Sequence, residues 1–398
     1  MLNSDSEAVT VMFLVSAGAR HEEESEQGIA HFVEHTIFKG TENRPDSKEI
    51  GIEIETLGGQ ANAFTAQDYT GYYIKAPARN FNDTIEILTD LFLNSTFPEE
   101  EIAKEKGVII EEIRMYEDQP MQKITHAWQD NFFQDHPLAR DIAGTEESVG
   151  DMQVQQFRRF IEKQYSASNV LLVVAGKADQ EQIENFIEQS IEPNISPGEK
   201  NEIEQFVFSK SDKRKKELVL EKDVQQTHYM LGGLGLNRNH EDRYIWQTLI
   251  TLLGNGFGSR LFQTVREDLG AAYYVYARGL SFQDTGVFQI GMGVDFAKLN
   301  SAKDAVRVEL EKLVNGEIAE KDILRAKNYL LGNIVTDMET SDDLASFYGM
   351  QRLLSTQQLS IEEIKQRLLS VNSEDLSRVA QTIFTEENKF EALLKRKN

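Results

Sequence analysis

The 398-residue chain contains no cysteine. That excludes disulfides and thiolate ligands, so any zinc-type site must be built from histidine and carboxylate, and a reducing compartment is compatible with the composition. Positive charge is also short: 42 Lys and Arg stand against 66 Asp and Glu, a net charge of -24. Phosphate binding is driven by basic side chains releasing counterions, so a nucleic-acid partner is excluded as the natural reading. The same charge either attracts basic peptides or serves solubility. No apolar run is long enough to span a bilayer, since residues 9–15 make up only a short one. The start, Met1-Leu2-Asn3-Ser4-Asp5-Ser6-Glu7, is acidic and lacks the basic region of a signal peptide. A soluble, cytoplasmic protein with no membrane partner is the expectation.

What is present is an ordinary globular composition, 40% hydrophobic and 27% charged, in a chain long enough for two or more cores. Residues 9–16 read as a strand, and Ala17-Gly18-Ala19-Arg20 with the acidic run Glu22-Glu23-Glu24 as a loop. Residues 47–57 have helical spacing at Ile50, Ile54 and Leu57, closed by Gly58-Gly59. Residues 61–65 and 69–74 then read as a pair of strands around a turn at Ala66-Gln67-Asp68. Helices follow at 81–92 and from Pro98 to about Tyr116, the latter opened by Glu99-Glu100-Glu101, where the helix dipole favours acids. A buried strand at 169–175 and a helix at 180–189 precede a polar, charged stretch, 192–216, after which strands resume at Glu217 and Gln226.

The second half echoes the first. Phe64 to Ile74 is matched by Leu280 to Ile290, around Gln67-Asp68 and Gln283-Asp284, and each is followed by a helical segment, 81–92 and 300–313. This predicts an α+β fold of two duplicated domains, residues 1–200 and 201–398, each a mainly antiparallel β-sheet packed against helices.

The densest chemistry lies in His31-Phe32-Val33-Glu34-His35. On a helix the two histidines stack one turn apart, with Glu34 beside them and Ile29, Phe32, Val33, Ile37 and Phe38 around the barrel. Burying such polar groups is costly, and a bound metal ion would compensate. Two ordinary histidines four apart are the alternative that this spacing alone leaves open. A catalytic zinc takes three protein ligands, and the Pro98 helix offers Glu105 and Glu112 on one stripe, with Glu111 turned about 100° away.

Here a resemblance becomes specific. His31-x-x-Glu34-His35, 76 intervening residues, then Glu112, within Glu105-Lys106-Gly107-Val108-Ile109-Ile110-Glu111-Glu112, resembles the inverted zinc motif of the pitrilysin and insulinase family. The resemblance implies that His31, His35 and Glu112 bind Zn2+, that Glu34 is the general base on the metal-bound water, and that Glu105 matches an acidic residue close behind the ligands. Gly58 to Thr65 resembles the family's edge strand, implying that Asn62, Ala63 and Phe64 hold an extended peptide through backbone hydrogen bonds. The stretch from Gly258 to Tyr273 resembles the family's arginine and tyrosine pair, implying that Tyr273 stabilises the oxyanion and Arg266 contacts substrate.

The family usually has one more strand before residue 9, so its absence from this sequence predicts a free sheet edge or a truncated start. A two-domain chain carrying both residue sets resembles the processing-peptidase branch. It implies a homodimer enclosing a chamber, with active sites shared between subunits and peptides or unfolded segments as substrates. The competing expectations are a non-catalytic subunit of the same fold and a maturation peptidase dedicated to one peptide.

Overall fold

The computed structural model describes residues 7–209 and 213–397. The acidic start Met1-Leu2-Asn3-Ser4-Asp5-Ser6 and part of the polar stretch, Lys210-Ser211-Asp212, lie outside them. The chain forms two compact units.

The first unit is built on β1 (Ala8–Val15), β2 (Gln60–Thr65), β3 (Thr70–Pro77) and β4 (Val170–Gly176), in the order β2-β3-β1-β4. All its pairings are antiparallel. Strand β1 is central and buried from Val9 to Val15, which is why it reads as one apolar run and not as an alternation. Its Val9, Val11, Phe13 and Val15 enter the main core with α1 (Ile29–Thr36), α2 (Ser47–Thr56), α3 (Phe81–Asn94) and α4 (Glu99–Asp118). Phe13 stacks on Phe92 of α3 at 4.2 Å between centroids. Met12 and Leu14 point to the other face, against Ala345 on the helix Ser341–Leu354.

The second unit carries β5 (Glu217–Lys222), β6 (Thr227–Leu234), β7 (Ala272–Ser281), β8 (Gly286–Val294) and β9 (Phe390–Arg396), in the order β5-β9-β6-β8-β7. One face packs on the helices Arg243–Gly254, Leu299–Val314 and Ser373–Ile383. The other face receives α5 (Pro120–Phe133), whose buried Trp128 donates to the Phe390 carbonyl at 2.9 Å. The expected duplication is visible in the topology: β2-β3-β1-β4 corresponds to β7-β8-β6-β9, with the echoed hairpins at the same sheet edge. Only the second sheet goes further, with β5 parallel to β9. Among the described residues no strand pairs with the outer edge of β4.

The units are not the two contiguous halves. The first comprises residues 1–115, 140–204 and 337–358, and the second 116–139, 205–336 and 359–398. Each half therefore supplies a helix to the other unit: α5 covers the second sheet, and Ser341–Leu354 covers the first. Both sheets have two apolar faces, and a helix's periodicity gives its buried stripe without saying which sheet it covers. Thr10 Oγ1 meets Ser341 Oγ at 2.8 Å, and Lys75 Nζ pairs with Asp342 at 2.6 Å, fixing the exchanged helix on β1 and β3. No helix among the described residues is long and apolar enough to cross a membrane.

Candidate metal centre

Helix α1 is short and starts at Gly28, whose φ of 90° is open to glycine and strained for other residues. Ile29, Ala30, Phe32 and Val33 are fully buried, which fixes the helix and leaves His31 and His35 one turn apart on its remaining face. Their rings meet at 72° with 4.6 Å between centroids, and the two Nε2 atoms are 3.2 Å apart. From α4, Glu112 Oε2 lies 3.7 Å from His31 Nε2 and 3.6 Å from His35 Nε2. Among the described residues this is the one group of three His, Asp or Glu side chains whose donor atoms converge in this way.

The donors suit a small tetrahedral cation. Ligand bonds of about 2.0–2.1 Å, as for nitrogen and carboxylate oxygen on zinc, separate tetrahedral donors by roughly 3.3–3.4 Å. The observed spacings bracket that value. Burial pushes the His31 imidazole down to about 4, with the His35 ring adding to the shift and Glu112 and Asp141 opposing it. Near neutral pH its contact with Glu112 is thus no ion pair, and a positive charge at the centre would compensate the facing lone pairs.

Glu105, two turns before Glu112, does not join the three donors. It is buried behind His35, with Oε2 3.2 Å from His35 Nδ1 and Oε1 2.7 Å from Lys39 Nζ. A carboxylate at Nδ1 holds the proton there and turns Nε2, as a lone pair, toward His31 and Glu112. Glu111 points away, exposed and paired with Arg114 at 2.7 Å. His31 has no such support: its Nδ1 is buried without a hydrogen-bond partner.

Glu34 stands beside the donors and accepts a 2.6 Å hydrogen bond from Thr65 Oγ1. Burial raises its carboxyl above the usual range, while the Thr65 hydroxyl and the His35 ring pull it back and Glu112 adds to the rise. Thr65 ends β2, the edge strand of the first sheet. Asn62 on that strand is exposed, and Ala63 and Phe64 are half-buried, with the Asn62 side chain accepting from the Ala63 N–H at 2.9 Å. Sequence reasoning singled out neither Lys39 nor Thr65. Both follow known motif residues in the chain, but only the fold reveals their partners.

Arg266 and Tyr273 belong to the second unit. The Arg266 guanidinium lies 4.9 Å from the Phe262 ring centroid and 6.0 Å from that of Tyr273. A bulge between Ala272 and Tyr274 re-aims Tyr273 outward, leaving it 74% exposed, where it lines a cavity of about 390 Å³ with Thr227, Asp295 and Phe296.

Fold and site together define a class: duplicated α+β units, with an inverted His-x-x-Glu-His helix in the first and a distant glutamate completing a metal-type donor set. Residues 1–146 match the family described as Insulinase (Peptidase family M16), and residues 151–330 match the Peptidase M16 inactive domain. The chain is 32% identical over 385 residues to the uncharacterized zinc protease YmxG of Bacillus subtilis, covering 97% of this chain and 92% of that protein. It is 32% identical over 379 residues to an uncharacterized zinc protease of Rickettsia bellii, covering 95% and 90%. The chain belongs to the insulinase family, peptidase family M16. In fold it is similar to a protease from Helicobacter pylori, with a TM-score of 0.87 at 24% identity over 99% of this chain and 95% of that one. It is likewise similar to a peptidase M16 inactive domain from Pseudomonas fluorescens, with a TM-score of 0.90 at 20% identity over 99% and 94%.

Proposed function

We propose that this chain is a zinc metalloendopeptidase hydrolysing peptide bonds in extended peptides or unfolded segments. The observation that carries the reading is the convergence of His31, His35 and Glu112, with Glu34 held beside them by a residue of an open sheet edge. The zinc protease names of its relatives support the choice of metal. Zinc held by His31, His35 and Glu112 would supply an acidified water, with a pKa of about 7, and a Lewis acid for the peptide carbonyl.

The chain's own groups supply the rest. Glu34 takes the proton of the attacking water on its carboxylate and passes it to the amine that leaves as the C–N bond breaks, and the Thr65 hydroxyl keeps that carboxylate in place. Strand β2 is an open sheet edge along Asn62, Ala63 and Phe64, where an extended chain adds as a further strand irrespective of its sequence, displacing the Asn62 side chain from the Ala63 N–H. Glu105 orients His35 through Nδ1. The exposed Tyr273 hydroxyl donates to the developing oxyanion, and Arg266, held between two aromatic rings, contacts substrate. The active unit in this reading is a homodimer in which one copy supplies the donors and the other Arg266 and Tyr273. A non-catalytic subunit of the same fold is the second reading; the presence together of His31, Glu34, His35, Glu112, Arg266 and Tyr273 favours hydrolysis.

Replacing Glu34 with Gln should retain zinc and fold while cleavage of a peptide library falls about a hundredfold or more. Undiminished cleavage would overturn the role of Glu34. Mixing Glu34→Gln with Tyr273→Phe subunits should restore activity in verified heterodimers, and no recovery would remove the shared site.

A further inference from the structure

Helix α1 begins without a cap of its own. The first N–H groups of a helix need acceptors, and the residue at its start normally supplies one from its side chain. Here that residue is Gly28. It cannot be exchanged for a capping residue, because its φ is 90° and a Cβ on it would stand 2.6 Å from the Ala143 carbonyl oxygen. The acceptors come instead from Glu22, six residues earlier: one carboxylate oxygen accepts from the Gly28 N–H at 2.8 Å, the other from the Ala30 N–H at 2.9 Å.

Glu22 is costly to keep. It is 5% exposed, and burial pushes its carboxyl up to about 8, against its two backbone hydrogen bonds and the nearby Arg140, with Asp141 adding to the rise. Its own backbone is tied down, since the Arg140 guanidinium donates to the Glu22 carbonyl. Gly144 closes the other side of the clamp, where any Cβ would run into the Gln27 carbonyl. The fold thus spends a buried carboxyl group and two glycines on the first turn of an eight-residue helix.

We propose that Glu22 is a positioning residue of the metal centre, fixing the rotation at which α1 presents His31, His35 and Glu34. The inference rests on the zinc-ligand reading above. His31 directly follows the capped Ala30, so the bond from Glu22 ends one residue from the first ligand. A side-chain atom at the helix's outer radius of about 5–6 Å moves roughly 1 Å for a 10° rotation. Metal and catalytic groups tolerate about 0.5 Å. Glu22 touches neither metal nor substrate and acts only through α1.

The test compares wild type, Glu22→Gln, Glu22→Asp and Asp46→Ala. Asp46 caps α2, which holds no donor, by accepting from the Lys48 N–H at 2.8 Å. Zinc affinity is measured by chelator competition, the visible spectrum with cobalt substituted, and thermal stability without metal. Glu22→Gln, which keeps one acceptor of two, should bind zinc about ten- to a hundredfold more weakly and shift the cobalt bands. Glu22→Asp, one methylene short, should fall between it and wild type. Asp46→Ala should lose stability with affinity and spectrum unchanged. Wild-type affinity and cobalt spectrum in a folded Glu22→Gln would overturn the proposal whatever its thermal stability; if that variant does not fold, the same result in Glu22→Asp would do so. A wild-type protein that binds no zinc would overturn the ligand reading, and this inference with it.

Discussion

Glu105 offers the sharpest separation of a metal-supporting role from a purely structural one. Its carboxylate divides between His35 Nδ1 at 3.2 Å and Lys39 Nζ at 2.7 Å. Glu105→Gln keeps the shape but removes the charge that favours the Nδ1–H tautomer of His35. Losing a carboxylate behind a ligating histidine typically costs ten- to a hundredfold in metal affinity, or about 1.4–2.7 kcal/mol. The Glu105–Lys39 pair contributes less to the metal-free fold. Lys39 is 27% exposed in its side chain, and a partly exposed ion pair is worth about 0–1 kcal/mol. Zinc affinity should therefore fall by more than metal-free stability. Chelator competition measures the first and urea unfolding of the metal-free protein the second. Lys39→Met, which leaves the Glu105–His35 contact in place, should weaken zinc binding less than Glu105→Gln. Unchanged zinc affinity in Glu105→Gln, or an equal loss in metal-free stability, would refute the reasoning.

Two further outcomes follow from the packing and from a buried histidine. A Cβ at Gly349 already stands 2.6 Å from Leu14 Cδ1 and 3.1 Å from Val173 Cγ2, so Gly349→Leu should overpack the face that the exchanged helix covers. It should lower the unfolding free energy by about 1–3 kcal/mol, seen as a lower urea midpoint, and an unchanged midpoint would argue against that packing. Burial, assisted by Arg20, lowers the His21 imidazole from 6.5 to about 4, so below pH 6.5 the unfolded chain takes up a proton that the folded one refuses. The stability from the neutral ring is complete above pH 6.5 and is lost as pH falls from 6.5 to about 4. That is on the order of 3 kcal/mol, which His21→Gln should remove from the difference between unfolding at pH 7 and at pH 4.

Much of the site was legible because its residues lie on regular elements. Helical spacing places His31 over His35 and Glu105 on the stripe of Glu112 whatever the rest of the chain does, and the echoed hairpins mark the same edge of both sheets. Contacts between distant segments were not legible. Thr65 reads only as the end of a strand, Lys39 as a residue after a helix, and Glu22 as part of an acidic loop; each acquires a role from a partner brought near by folding. Trp128 and Gly349 show the same limit on a larger scale. Neither helix was singled out from the sequence, and only the three-dimensional path shows that each covers a sheet built mainly by the other half. The re-aimed Tyr273 depends on a bulge, which leaves no periodic trace in sequence.

The central claim is that His31, His35 and Glu112 together hold zinc. X-ray absorption at the zinc edge, on wild type and Glu112→Ala loaded with equimolar zinc, tests it most directly. The account predicts one bound zinc per wild-type chain, with two imidazole nitrogens and the remaining ligands oxygen, at about 2.0–2.2 Å. It further predicts loss of one oxygen ligand or of the metal in the variant. Zinc with fewer than two imidazoles, or an identical spectrum and stoichiometry in Glu112→Ala, would contradict it.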